Sequence, residues 1–455
     1  MFIQTFKSEG LSHLSYLIGN NGQAAVIDPR RDCEIYAEAA AAKGCRITHI
    51  FETHRNEDLI SGAPILAQLT GAAVFHGPNA AGTVRYAKTT REHDEFSFGN
   101  LQLRVLETPG HTDDSLSFAL YDTDFGDDAV AVFTGDALFV GDVGRTDFYP
   151  ERPEEVAGLL FDSLQKLTSL GDQALIYPAH GAGSVCGDNM ADREFSSIGY
   201  ERRNNPMMQI RSREEFISLK VQEHHYQPPY FREMERLNME GGRATSSVLT
   251  PAALSPAAFK DLPDQTVIID VRGISSFLGA HIPGSLALPT PMIPAFAGWF
   301  LSPEDNLALV AVNASEAEVA ARHLARIGFD NVLGYLAPDM PQWAAMAEPF
   351  RSVQVIDLED FKKRRASPPE NWSLLDVRGK GEVDENPVDR AIHHYTGNLM
   401  EEARELDPGR HYTVMCGSGA RAAIAASVLM RRGFRNVDVF LGSVGALMTE
   451  KTLVV

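Results

Sequence analysis

The chain has 455 residues, 44% hydrophobic and 22% charged, with a formal net charge of −20. Such a length exceeds one ordinary core and suggests about three domains, at roughly 100–200 residues each. The acidic balance argues against a nucleic-acid surface, which draws on clustered Lys and Arg, and no run approaches the ~20 apolar residues of a membrane span. The N-terminus "MFIQTFKSEGLSHLSYLIG" has no basic segment followed by an unbroken apolar stretch and a cleavage site, so a cytoplasmic location is expected. Neither nucleic acid nor membrane is an expected partner, and a homo-oligomer is expected.

From Met1 to about Leu237, short apolar runs such as "AAVID", "ITHIFET", "LQLRVLETPG", "AVAVFTGD" and "ALIYPAHG" alternate with turn residues and helical stretches. The pattern predicts a layered α/β arrangement whose strand ends carry the polar residues. A Gly-, Ser-, Thr- and Pro-rich segment, Met239 to Pro256, reads as a linker. Beyond it the chain repeats: "VIIDVRG" at Val267 returns as "SLLDVRG" at Ser373, and "GFDNV" at Gly328 returns as "GFRNV" at Gly433. The spacing is domain-sized rather than that of a solenoid. Expected boundaries are 1–238, 257–350 and 353–455, the last two being small α/β domains of one fold.

Cys33, Cys45, Cys186 and Cys416 are scattered and form no Cys-x-x-Cys pair, so neither a disulfide framework nor a zinc knuckle is indicated. Local context promotes one of them. "YTVMCGSGARAAIAASVLMRRGF" predicts a strand ending at Met415, a tight loop, then a helix from about Arg421. A thiol at that junction faces converging backbone N–H groups and the positive end of a helix, which favours thiolate. Cys416 is therefore a candidate nucleophile, and Arg421 would close the loop and add positive charge beside bound sulfur. Four residues separate them, whereas a cysteine phosphatase needs five to cradle phosphate. With "LLDVRG" before it and "GFRNV" after it, this unit resembles the rhodanese sulfurtransferases, and the resemblance implies that Cys416 carries a persulfide. The matching segment of the first repeat, "NLALVAVNASEAEVAARHLARIGF", has no cysteine. Counting back from Gly-Phe puts Ala311 opposite Cys416, while matching strand ends puts Asn313 there. Glu316 and Glu318 follow where positive charge would be wanted, so this unit reads as an inactive copy.

In the N-terminal part, "THRNEDL" holds His54, Asn56 and Asp58, "ETPGHTDDS" holds His111, "FTGDALFVGDVGRTDF" holds Asp136, and "YPAHGAGS" holds His180. Their order after apolar strands resembles the metallo-β-lactamase superfamily, implying an αββα sandwich followed by two rhodanese-like α/β domains. The two-zinc hydrolases of that superfamily use His-x-His-x-Asp-His in the first loop. Asn56 and Leu59 each remove one ligand here, since Asn is a poor substitute for imidazole and Leu cannot ligate. His54, His111 and Asp136 remain, a two-histidine, one-carboxylate set that suits mononuclear non-heme Fe(II).

The persulfide dioxygenases of the superfamily use this set, and the resemblance implies one Fe(II) per chain. Asn56, Asp58 and His180 are then outer-shell candidates. The activity so implied oxidises a thiol persulfide such as glutathione persulfide with O₂ to sulfite. Cys416 would couple it to sulfurtransfer, forming or using thiosulfate, in sulfide detoxification. Two other readings stand beside this one: a two-zinc hydroxyacylglutathione-type hydrolase with an appended sulfurtransferase, and a metal-free scaffold recruiting partners to a rhodanese domain. Cys186, six residues after His180, reads as an inert, partly buried thiol, and "QEHHYQPPYF" with His224 and His225 as a surface or lid segment.

Overall fold

The computed structural model describes residues 1–78, 82–184, 186–187, 189–223, 225–242 and 250–453. Two compact units divide it, residues 1–248 with 326–328, and residues 249–325 with 329–455.

The first unit holds two six-stranded sheets. One runs in the order Phe2–Ser8, His13–Asn20, Gln23–Ile27, Arg46–Phe51, Ala73–His76, Lys88–Thr89. The other runs Ser196–Ser197, Leu175–Pro178, Ala131–Gly135, Leu116–Asp122, Leu101–Glu107, Glu95–Phe98. Alternate residues of a strand face opposite sides, and here both sides are apolar. Tyr16, Ile18, Ala25 and Ile27 point inward and pack with Leu103, Val105, Phe118 and Leu120 of the second sheet. Leu17, Ala24 and Val26 point the other way, onto helices Glu34–Ala42 and Ala63–Thr70. Ala119 and Val132 likewise back onto helix Pro153–Thr168 through Leu160, Leu164 and Leu167. The result is the helix, sheet, sheet, helix layering expected from the sequence. Burial on both faces explains why these strands read as continuous apolar runs rather than alternating ones.

The second unit holds two five-stranded parallel sheets. The strand orders are Ala253–Leu254, Val332–Leu336, Leu307–Val310, Val267–Asp270, Leu286–Ala287 and Gln354–Ile356, Val437–Phe440, His411–Met415, Trp372–Asp376, Ala391–His393. Numbered within each repeat, both read 1-5-4-2-3, so the sequence repeat is a repeat of topology. The "DVRG" motif acts in both copies as a clip. Arg272 forks onto Asp270, with Nε to Oδ1 at 2.8 Å and Nη2 to Oδ2 at 2.6 Å, and Nη2 also donates to the Ala280 carbonyl. Arg378 repeats this on Asp376 and reaches the Asn386 carbonyl. Each buried carboxylate thereby finds a charged, bidentate partner. The two halves also touch: the Ala287 amide donates to Ser427 Oγ at 3.0 Å, and Trp299 meets Tyr395 edge-on at 5.6 Å.

The expected linker is only partly loop. Helix Phe231–Glu240 runs into it, Ala253–Leu254 pairs in parallel with Tyr335–Leu336, and helix Pro256–Lys260 starts inside it. Residues 243–249, and His224 of the His224–His225 pair, lie outside the described residues. His225 is partly buried, with Nε2 3.5 Å from Glu223.

Candidate metal centre and sulfur loop

The loops leaving Arg46–Phe51, Leu101–Glu107, Ala131–Gly135 and Leu175–Pro178 carry His54, His111, Asp136 and His180, and the four side chains meet. Each is at most 1% exposed. Two backbone features permit the approach. Gly110 has φ +133°, and a Cβ there would lie 2.4 Å from the Leu160 nitrogen. A Cβ on Gly144 would sit 2.0 Å from the Asp136 carbonyl oxygen and 3.2 Å from His111 Nδ1. Gly144→Ala is therefore expected to displace both side chains and to weaken metal binding by at least ~10-fold, as measured by chelator competition.

His111 Nδ1 donates to the Arg145 carbonyl at 3.0 Å, which turns Nε2 with its lone pair into the centre. For His54, Nδ1 lies 2.9 Å from Thr53 Oγ1, whose hydroxyl donates to Asp28 Oδ2 at 2.9 Å. With its proton committed to Asp28, Thr53 accepts from Nδ1–H, and His54 Nε2 is left free to ligate. Asp136 Oδ2 lies 3.4 Å from His111 Nε2 and 3.9 Å from His54 Nε2. Donors about 2.1 Å from one ion are separated by roughly 3 Å at right angles and roughly 4.2 Å across it, so Asp136 Oδ2 is spaced to share an ion with either imidazole. The donor atoms that all lie within 4.8 Å of one another are those of Glu57, His111, Asp136 and Cys186, without His54. Both imidazole Nε2 atoms are buried without a hydrogen-bond partner. Buried polar atoms are rarely left so, and a bound cation would answer them.

The outer-shell candidates separate. His180 Nδ1 lies 2.9 Å from both oxygens of Asp136, and its Nε2 lies 3.2 Å from Asp58 Oδ2. Asp58 is buried with neither oxygen hydrogen-bonded. Asn56 is buried with its amide oxygen unpaired, while its backbone carbonyl accepts from Asn238 at 2.7 Å. Leu59, where the hydrolase pattern has imidazole, is a core residue, 2% exposed.

Two further residues stand at the centre. Glu57, 2% exposed, places Oε1 3.3 Å from His111 Nε2. Cys186 is fully buried rather than partly, and its S–H lies 3.5 Å from Glu57 Oε1. Its sulfur joins two sets of potential ligands, one with Glu57, His111 and Asp136 and one with Asp58 and His180. The expectation of a partly buried Cys186 is thus corrected, since the thiol is fully buried and reaches the centre. Neither residue has a sequence signal: Glu57 occupies a position of the loop pattern that carries no ligand, and Cys186 follows a stretch with no period.

The charges are mutually stabilised in the metal-free protein. Burial disfavours charge on His111, but Glu57 and Asp136 outweigh it and raise its proton affinity. Burial pushes the Glu57 carboxyl up, and His111 and His54 pull it down to about 2. For His54 burial prevails and favours the neutral imidazole, the form that ligates.

In the second unit the sulfur loop matches expectation in outline. Strand His411–Met415 leads into Cys416, and helix Ala420–Arg431 follows. Gly419 N–H donates to Cys416 Sγ at 3.0 Å, and the Cys416 amide donates to Ser443 Oγ at 3.0 Å. Gly419 has φ +95°, and a Cβ there would meet the Leu441 carbonyl oxygen at 2.5 Å, so the turn that brings this N–H onto sulfur needs glycine. Arg421 has a partner that the sequence does not point to. Both its terminal nitrogens are paired with Glu382, at 2.5 and 2.6 Å, so its charge is shared rather than offered to sulfur alone.

Strand register decides which residue of the first repeat stands opposite Cys416. Asp376 pairs with Met415 and Asp270 with Val310, so the residue opposite Cys416 is Ala311, not Asn313. In this copy the loop amide of Val312 donates to Glu316 Oε2 at 2.6 Å, and the Glu316 amide donates to Asn313 Oδ1 at 2.9 Å.

Comparison with known proteins places these sites in context. Residues 9–180 match the model of the metallo-beta-lactamase superfamily, and residues 255–346 and 357–449 match the rhodanese-like domain. The crystal structure of a metallo-beta-lactamase from Staphylococcus aureus subsp. aureus COL is 30% identical with a TM-score of 0.66, covering 74% of this chain and 98% of that one. The mitochondrial persulfide dioxygenase ETHE1 of Bos taurus is 29% identical, over 48% of this chain and 78% of its own length. The hydroxyacylglutathione hydrolase of Tolumonas auensis is 32% identical, over 39% of this chain and 64% of its own length. The chain thus spans less than two thirds of the hydrolase.

Proposed function

Because the chain belongs to the metallo-β-lactamase superfamily, with two rhodanese-like domains following that fold, we propose that it is a persulfide dioxygenase joined to a sulfurtransferase. The domains are taken as 1–238, 257–350 and 353–455. The observation that carries this reading is Asp136 Oδ2 lying 3.9 Å from His54 Nε2 and 3.4 Å from His111 Nε2, both nitrogens orphaned, while in the His54 loop Asn56 and Leu59 withhold two of the hydrolase ligands.

The substrate class is a low-molecular-weight thiol persulfide such as glutathione persulfide. One persulfide, one O₂ and one water give one thiol, one sulfite and two protons. One Fe(II) held by His54, His111 and Asp136 would supply the chemistry, bringing persulfide sulfur and O₂ together and passing electrons between them. The chain's own residues orient and enclose. The Arg145 carbonyl and the Thr53 hydroxyl fix the two imidazoles, and His180 holds both oxygens of Asp136. Phe148 lies edge-on to His111 at 5.3 Å and shields it from water. Arg145 stacks on Phe148 at 4.7 Å while paired with Asp147, which fixes that wall.

At the second site Cys416 persulfide would pass its outer sulfur to sulfite, forming thiosulfate and regenerating the thiolate, or run in reverse. One chain holding both a source and a consumer of sulfite raises the local concentration of each for the other. The described cysteines are all unpaired, in keeping with the reducing cytoplasm and a role in sulfide detoxification. Among the described residues no helix is long and apolar enough to cross a membrane.

The test is anaerobic purification, metal quantification and O₂ consumption with glutathione persulfide. One iron per chain and stoichiometric sulfite support the reading. Two zinc ions with thioester hydrolysis, or no metal at all, would replace it with the hydrolase or the scaffold.

A further inference from the structure

We infer that Glu57 is a fourth protein ligand of this metal centre, standing in from the next position for the imidazole that Asn56 withholds. The inference rests on the single-metal reading above and extends it to a residue outside the three-ligand set. Its carboxylate faces the same two nitrogens as that of Asp136. Glu57 Oε1 lies 3.3 Å from His111 Nε2 and its Oε2 3.9 Å from His54 Nε2, while Oδ2 of Asp136 alone lies 3.4 and 3.9 Å from them. Glu57 thus turns one oxygen toward each imidazole, and Asp136 turns one oxygen toward both.

Three further observations agree. Glu57 is 2% exposed, and its Oε2 is buried without a hydrogen-bond partner. A charged oxygen left so inside a protein costs several kcal/mol unless a cation answers it. Oε1 accepts the Cys186 S–H at 3.5 Å, which holds the carboxylate in the centre as a positioning contact. Glu57, His111, Asp136 and Cys186 also offer donor atoms all within 4.8 Å of one another. The loop therefore does more than lose an imidazole at Asn56, because it exchanges a nitrogen donor for an oxygen donor one residue on. Two imidazoles and two carboxylates neutralise a divalent ion and form a harder donor set, which suits Fe(II). A fourth protein donor also leaves fewer positions for exogenous ligands than a three-residue set does.

The experiment uses the full chain, wild type and Glu57→Gln, with Fe(II) affinity read by chelator competition and the visible spectrum of the Co(II)-substituted protein as the probe of ligation. The expected result is an Fe(II) affinity about 10–100-fold weaker or worse in the variant, with a changed Co(II) spectrum. The Co(II) spectrum carries the test, because in the metal-free protein Glu57 is already the charged partner of His111 and the metal-free variant is expected to melt somewhat lower than wild type. Unchanged affinity with an unchanged spectrum overturns the inference. A weaker affinity with an unchanged Co(II) spectrum also overturns it, because Glu57 would then act only as the charged partner of His111 and not as a ligand. These readouts do not depend on turnover. Wild-type protein that binds the metal tightly yet takes up no O₂ with persulfide would sink the proposed function and leave the ligand assignment standing.

Discussion

His111→Ala is expected to strip the N-terminal centre of most of its metal and to lower persulfide-dependent O₂ uptake by two orders of magnitude or more. The imidazole is fully buried, its Nδ1 is fixed by the Arg145 carbonyl, and its Nε2 lies 3.3 to 3.4 Å from two carboxylates. Alanine removes a donor that no neighbour can replace and leaves Glu57 and Asp136 facing each other without the positive group between them. Loss of even an outer-shell partner weakens a metal site by about 10–100-fold, so loss of this donor should exceed that range. The two measurements are iron per chain and O₂ consumption. The sulfurtransfer proposed for Cys416, which lies in the other compact unit, should persist. Its disappearance together with the O₂ uptake would refute two independent sites.

Cys416→Ser is expected to do the converse. A hydroxyl cannot form a persulfide, so transfer of sulfane sulfur should fall by at least ~1000-fold. Serine is nearly the size of cysteine, and Gly419 N–H can donate to its oxygen as it does to sulfur. Stability should change by less than about 1.5 kcal/mol in urea unfolding. Oxygen uptake with glutathione persulfide should stay at the wild-type level, with sulfite rather than thiosulfate as the terminal product.

The parts of both sites that could be read from sequence are those fixed by local rules. His54, His111, Asp136 and His180 each follow an apolar strand, and Cys416 lies between strand and helix, so the chain itself announces them. Glu57 and Cys186 are found only in three dimensions, because they are brought together across 129 residues by irregular loops with no periodic face. The same limit hid the partner of Arg421: Glu382 lies 39 residues earlier, at the start of another helix. Composition also misread the segment before Pro256, since Ala253–Leu254 becomes a strand only by pairing with Tyr335–Leu336. The choice between Ala311 and Asn313 needed strand register, a long-range property that a one-dimensional count cannot supply.

The closed loop at Val312 bears on how the cysteine-free repeat could ever regain chemistry. An anionic sulfur needs free amide hydrogens around it, and in that copy the Glu316 carboxylate already holds one. Grafting a thiol onto Ala311 would therefore set two negative groups in competition for the same cradle. A cysteine at Ala311 alone is expected to lack the free amide that Glu316 holds, and a second change at Glu316 would be needed to release it.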